Sequence, residues 1–324
     1  MTSYIFRRLL LSIPMLIGMS FVTFMFIQLA PGDYFDSMKS NPLISEETIE
    51  RYKAQYHLDR HPLIQYGCWL KSLLGGDLGY SFTWMIPVWD VIKGRLFNTL
   101  ILSVSSILFA WLIALPIGIY AAVHQYSWRD RFFSFLSFIG MSIPNFFFAL
   151  LLLYLASITG ILPLGGMRSI NYPSLTPFGK IWDLLRHLVI PTIVIGTSSV
   201  ASLQRLMRGN MLEVLRSQYI TMARAKGLPE NRIIYWHAAR NAINPMVTIF
   251  GYELSGLLSG AALTENICNW PGLGSLMLEA VRAQDLFLVM GSMLMGGVLL
   301  IAGNLVADIL LVWVDPRIRY TSRV

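Results

Sequence analysis

Six apolar runs, each long enough to cross a bilayer as one helix, constrain this 324-residue chain more than any other feature. At a rise of about 1.5 Å per residue, about 20 residues span the hydrocarbon layer. The runs lie at roughly Leu9 to Ala30, Thr99 to Val123, Phe132 to Thr159, Leu188 to Leu206, Val247 to Leu263 and Leu286 to Val314. Only 13% of residues are charged, about half the fraction usual in soluble domains. These numbers predict an all-α polytopic membrane protein with six transmembrane helices. Arg7 and Arg8 before the first run resemble the start of a secretory signal, but the run is too long and IQLAPG offers no small-x-small cleavage site. It is therefore read as the first span.

Placing the loops on alternate sides puts 14 Lys and Arg on the side of both termini and 11 on the other. Basic residues concentrate in the short loops of the cytoplasmic side, so both termini are expected in the cytoplasm. The chain then divides into a cytoplasmic N-terminus with the first span (1–30), an external segment (31–98), a core of five spans (99–314) and a cytoplasmic tail (315–324). The external segment is too long for a plain connector and reads as a small helical subdomain. Ser45 before Glu46 and Glu47 marks one helix start. Pro62 starts another, and Gly75 with Gly76 ends it. The remaining external stretches, TGILPLGGMRSINYPSLTPFGKIWDLLRH and ENICNWPGLGSLMLEAVRAQD, mix Pro, Gly and aromatics and fit loops that dip toward the membrane or close an opening, or plain interfacial turns.

The chain has no G-x-x-x-x-G-K-[ST] with which to bind ATP itself, and no H-E-x-x-H, C-x-x-C or G-x-S-x-G. Its five histidines are scattered and its methionines form no repeated pattern, so neither a metal site nor a catalytic centre is expected. Cys68 and Cys268 are expected to remain unpaired. Two carboxylates fall within spans, Glu253 and Asp308. Intramembrane charge is costly and marks function by default. Glu253, ahead of Gly256 and Gly260 in a G-x-x-x-G spacing, either lines an aqueous path or bonds a neighbouring helix.

The loop over 207–246 interrupts the apolar pattern with RSQYITMARAKGLPENRIIYWHAARNAINP. In NMLEVLRSQYITMARAK the residues Met211, Leu215, Tyr219, Met222 and Ala223 recur at spacings of three and four, which predicts one helix with a single buried face. Gly227 suits a left-handed helix end, and Pro229 forces a new helix, ENRIIYWHAARNA, expected to stop before Pro245. Arg216, Arg224, Lys226, Arg232 and Arg240 keep the unit out of the bilayer. A bent, rigid pair of helices projecting from a membrane domain is something a motor subunit can grip.

With its flanks this sequence closely resembles the permease subunits of ABC importers, in particular the dipeptide, oligopeptide and nickel branch. The matching stretches cover nearly the whole chain: YIFRRLLLSIPMLIG, LAPGD, GGDLGYS, SIPNFFFALLLL, YITMARAKGLPENRI, HAARNAINP, TENICNWPGLG and DPRIRY. The general importer motif carries Glu-Ala-Ala where Thr221, Met222 and Ala223 stand here, and its Pro follows the Gly sooner than Pro245 does; both departures favour the peptide branch. The resemblance implies a type I ABC importer permease fold in the bacterial inner membrane. It implies an ATPase-docking coupling helix formed by Tyr219, Ala223, Arg224, Ala225, Lys226, Gly227, Leu228, Pro229 and Arg232, supported by His237, Arg240, Asn241 and Pro245. It further implies a gate loop at Trp270, Pro271, Gly272 and Gly274. The expected partners are a second homologous permease, two ATP-binding subunits that hold ATP and Mg, an external solute-binding protein and membrane lipid, with no nucleic acid and no cofactor in this chain. Peptides are the expected cargo; nickel chelates, opines or another small solute are alternatives, and an ion-coupled secondary transporter is the reading from another class.

Overall fold

The computed structural model describes residues 2–39, 45–258 and 262–314. In chain order these form α1 (Thr2–Leu29), α2 (Tyr34–Lys39), α3 (Glu46–Gln55), α4 (Pro62–Leu74), a small antiparallel hairpin of β1 (Tyr80–Ser81) and β2 (Ile86–Pro87), α5 (Val88–Val123), α6 (Trp128–Ser142), α7 (Asn145–Thr159), α8 (Pro177–Leu215), α9 (Gln218–Ala225), α10 (Glu230–Arg232), a π-helical stretch (Ile233–Ala239), α11 (Arg240–Leu258), α12 (Ala262–Ile267), α13 (Leu273–Arg282) and α14 (Leu286–Val314). Among the described residues four helices, α1, α5, α8 and α14, are long and apolar enough to cross a membrane, and α6 with α7 would make a fifth span. The protein is thus an all-α, multi-pass membrane protein. The expected fifth span and Gly260 fall partly or wholly on 259–261, and DPRIRY on 315–320, outside the described residues.

Two expected spans differ from the observed helices. The run from Phe132 to Thr159 is not one rod: α6 and α7 meet at 103°. Pro144 disfavours the helical region for the residue before it, and Ile143 is extended (φ −82°, ψ 122°). Each 15-residue limb is about 22 Å long, too short to span the membrane alone. The run from Leu188 to Leu206 is the middle of α8, which starts at Pro177. Thr176 caps it by accepting from Gly179 N at 3.2 Å, so the polar turns around Asp183 and His187 belong to the helix.

The chain resolves into two compact units, Met1–Thr99 with Pro271–Ile301, and Leu100–Trp270 with Ala302–Val324. In the first, residues of the segment 31–98 share one core with α1, α13 and the start of α14. The predicted caps form: Ser45 accepts from Thr48 N, Pro62 opens α4, and Gly76 takes φ +82° beyond its end. Tyr66 on α4 donates to Ile17 O at 3.1 Å and Gln28 Nε2 on α1 donates to Gln65 Oε1 at 2.9 Å. Phe82, just after β1 and 2% exposed, is ringed by Tyr34, Phe35, Tyr52, Tyr56, Tyr80 and Phe287 at centroid distances of 5.0 to 6.2 Å. Asp285, fully buried, accepts from Ser81 Oγ (2.7 Å), Thr83 N (2.9 Å) and Leu288 N (3.3 Å). One carboxylate thereby ties the hairpin to the first turn of α14.

The second unit is organised on α8 and held by close helix approaches. A Cβ on Gly118 would lie 2.7 Å from Met207 Cβ and 3.0 Å from Gln204 O, so only glycine lets α5 touch α8 there. Asp130, 3% exposed, accepts from Arg208 Nε and Nη2, both at 2.7 Å, which clamps the first turn of α6 to α8. Cys68 and Cys268 are both free thiols.

Candidate functional site

The loop read as an elbow is built of more pieces than its periodicity predicted. After α8 ends at Leu215, Ser217 turns extended (φ −70°, ψ 151°) and α9 starts afresh. The break shifts the helical phase. Of the face expected to bury, Met211 is buried and Leu215 and Ala223 partly so, whereas Tyr219 and Met222 are 42% and 60% exposed, and Ile220 is the buried anchor of α9 at 0%. Ile220 packs with Met207 and Met211 of α8, Ile233 and Ala238 of the π stretch, and the partly buried Ala223 and Leu228.

The end of α9 explains why the sequence reads Ala-Lys-Gly-Leu-Pro. Gly227 takes φ +72°, a left-handed conformation that costs other residues about 1–2 kcal/mol. Its N–H bonds Arg224 O at 2.9 Å, and Leu228 N–H bonds Ala223 O at 3.3 Å. This is the paired bonding of a Schellman cap, completed by the apolar contact of Leu228 with the last turn of the helix. Pro229 then stands as the extended N-cap of α10.

Two side-chain ties stiffen the bend. Arg224 donates through Nη2 and Nε to Glu230 at 2.7 and 3.3 Å, closing the elbow from helix to helix. The guanidinium holds the Glu230 carboxyl below its ordinary range. Asn241 Nδ2 donates to Tyr219 OH at 3.1 Å and to His237 O at 2.8 Å, so α9 is moored to α11. Arg240 lies 5.8 Å over the Trp236 ring. Of the expected docking residues, Tyr219, Arg224, Ala225, Lys226, Gly227, Pro229 and Arg232 are exposed, whereas Ala223 and Leu228 turn toward the core. The outer surface is therefore a short convex ridge bearing cations.

The second helix does not stop before Pro245; α11 runs on to Leu258. Pro245 removes the backbone bond to Asn241 O, four residues back; at the next carbonyl, Asn210 Nδ2 of α8 donates to Ala242 O at 3.1 Å and fastens the start of α11 to α8. The π-helical stretch directly upstream widens the turn over Ile233–Ala239, a geometry that recurs at functional sites.

Glu253 is half-buried and accepts from Trp111 Nε1 at 3.2 Å, the inter-helix bond of its two expected roles. At the expected gate, Trp270 is 1% exposed and packs with Leu102, Leu188 and Ile195. Pro271 O accepts from Asn98 Nδ2 at 2.8 Å, and Gly272 and Gly274 are buried. Sequence reasoning missed Ile220, Glu230, Asn210 and the Asp130–Arg208 clamp. Of these only Asp130 carried a local signal, the Ser127-x-x-Asp spacing of a capped helix start, realised as Asp130 N donating to Ser127 Oγ at 3.2 Å.

Residues 114–320 match the family model described as binding-protein-dependent transport system inner membrane component. The oligopeptide transport system permease protein AppB of Bacillus subtilis (strain 168) is 40% identical over 322 residues, covering 99% of this chain and 100% of the relative. The dipeptide transport system permease protein DppB of Escherichia coli (strain K12) is 37% identical over 337 residues, 99% of each chain. The DppB of Alkalihalophilus pseudofirmus is 36% identical over 334 residues, 99% of this chain and 100% of the relative.

Proposed function

We propose that this chain, which belongs to the family of binding-protein-dependent transport system inner membrane components, forms half of the peptide pathway of an ATP-driven importer in the bacterial inner membrane. The chain itself is a non-catalytic transport subunit. A second, homologous permease supplies the other half, two ATPase subunits bind ATP and Mg, and an external solute-binding protein delivers the peptide. Both termini then lie in the cytoplasm, with the elbow. The peptide cargo is supported by relatives named for oligopeptide and dipeptide transport.

One observation carries the mechanism: an exposed cationic ridge rests on a single fully buried isoleucine shared with α8 and the π stretch. A push on the ridge reaches α8 and the π stretch through the cluster that Ile220 shares with them. An ATPase groove that closes around α9 can drive the change between inward-open and outward-open pathways only by binding the ridge better in one state. The capped, ion-paired bend keeps that difference from being lost in flexing. The segment 270–274 is proposed to close the outer end, as a packed plug rather than a free finger.

Lys226→Glu with Arg232→Glu reverses ridge charges that carry none of the elbow's internal hydrogen bonds. The assembled transporter in proteoliposomes is expected to lose ATP-dependent peptide uptake and retention of its ATPases, while the chain still accumulates in the membrane. Unchanged uptake would refute the docking assignment.

A further inference from the structure

Within the second unit, Glu253 spends one carboxylate oxygen on the inter-helix bond from Trp111 Nε1 at 3.2 Å. Ser199 of α8 lies within hydrogen-bonding reach of the same group. Both donors are neutral, and among the described residues no Lys, Arg or His pairs with Glu253. The carboxylate thus has donors for its lone pairs and no partner for its charge. It also lies deep. Glu253 follows Arg240 by 13 residues and Ser199 precedes Arg208 by nine. These spacings put them about 20 Å and about 14 Å along their helices from those arginines, inside a hydrocarbon layer about 30 Å thick.

The surroundings are polar as well. Ser199 is half-buried and Ser202, one turn along α8, is exposed, as is Gly256, one turn beyond Glu253 on α11. Trp111 and Phe250 stand beside the carboxylate with ring centroids 5.4 Å apart and planes at 80°. A half-buried carboxylate among hydroxyls in mid-membrane is costly against lipid tails and belongs on a water-filled passage. An unmatched anion in such a passage attracts a compact cation. Every unblocked peptide carries one, its α-ammonium, whatever its side chains.

We infer that Glu253 is the counter-ion of the conduit: it takes up the α-ammonium of the passing peptide, while Trp111 and Ser199 hold the carboxylate in place. This rests on the peptide-import reading above and makes a free amino terminus part of what the permease itself recognises. A single partly exposed carboxylate, with no second charge to close the site, holds a cation firmly enough to guide it and weakly enough to release it, as conduction requires.

The assembled transporter in nanodiscs, carrying Cys68→Ser and Cys268→Ala, receives a reporter thiol through Ser199→Cys or, independently, Ser202→Cys. Trimethylammonioethyl methanethiosulfonate should modify the reporter at least about ten-fold faster than the anionic sulfonatoethyl reagent, each rate divided by that with a free thiol, as a unit charge a few Å away dictates. Glu253→Gln should bring this ratio close to one while leaving the thiol reactive. Excess alanyl-alanine should protect the reporter, N-acetyl-alanyl-alanine should not, and Glu253→Gln should remove the difference. Neither reagent reaching either position would mean a surface closed by lipid or by the second permease, and would overturn the inference. So would a ratio indifferent to Glu253→Gln, or equal protection by the two dipeptides. Peptide import is read separately, as ATP-dependent uptake of alanyl-alanine into proteoliposomes. Its absence beside an intact charge preference refutes the peptide reading alone, whereas intact uptake without that preference refutes the role of Glu253 alone.

Discussion

The knot around Phe82 and the elbow seated on Ile220 are each closed by a carboxylate, and they use it in opposite ways. Asp285 is fully buried and accepts three hydrogen bonds from the protein around it. Glu230 is 54% exposed in its side chain and has one partner, Arg224. The knot is made of aromatic side chains that fill space in one arrangement. Within the elbow, α9 is held by one large fully buried side chain, Ile220, beside alanines and a left-handed glycine, while Ile233 anchors the π stretch. A region built the first way resists any motion, because interiors packed at that density do not deform continuously. One built the second way can move as a body, since little must be unpacked to shift it.

Phe82→Ala is the largest expected effect and the first way to break this contrast. Removing a buried phenylalanine costs about 3–5 kcal/mol, and here the loss falls on six ring contacts at once. The chain should accumulate poorly in the membrane and unfold at lower temperature in detergent. Ile220→Ala removes a buried aliphatic at about 2–5 kcal/mol, yet the loss is confined to the seat of α9. Accumulation should remain near normal while peptide uptake and ATPase coupling fall. If Ile220→Ala lowers accumulation as far as Phe82→Ala, the elbow is part of the global fold and the contrast fails.

A smaller effect separates shape from contact. A Cβ on Gly227 would meet nothing within 4 Å, so Gly227→Val carries only the backbone cost of φ +72°, about 1–2 kcal/mol. Hydrogen exchange over 218–228 should speed by roughly ten-fold, with that over 78–92 unchanged. Equal protection in the variant would mean that the Schellman cap does not hold the bend.

The elbow's turn was legible because its chemistry is local. Gly227 and Pro229 set the bend from within six residues, and Ser45 and Pro62 announced their helices in the same way. What was not legible depends on where the chain goes after each turn. The buried face of α9 was misassigned because Arg216 and Ser217 reset the phase that periodicity assumed continuous. Pro144 was visible, but a proline inside an apolar run reads equally as a kink or a break, and only the 103° bend decides. Asp285 and Ser81 lie 204 residues apart, and nothing in either neighbourhood announces the other. Arg224 and Glu230 are six apart, a spacing that no single helix brings together, so their pairing follows from the elbow and could not be used to predict it.

That pair supplies the smallest effect and the sharpest one. Exposed ion pairs contribute roughly 0.2–1 kcal/mol, so a double-mutant cycle with Arg224→Ala and Glu230→Ala, read as the opening free energy of α9 amides by hydrogen exchange, should return a coupling in that range. Its sign with pH follows from the direction of the shift. Arg224 lowers the Glu230 pKa in the folded chain, so the unfolded chain takes up a proton first as pH falls. The stabilisation is therefore fully present above the ordinary glutamate value of about 4.3 and fades as pH drops through the lower folded value. Exchanging the charges, Arg224→Glu with Glu230→Arg, should restore the coupling because solvent and salt screen both partners alike. A coupling well above 1 kcal/mol that is indifferent to salt would mean that Glu230 behaves as Asp285 does, a buried fastening, and that the ridge is not the lightly seated body its exposure describes.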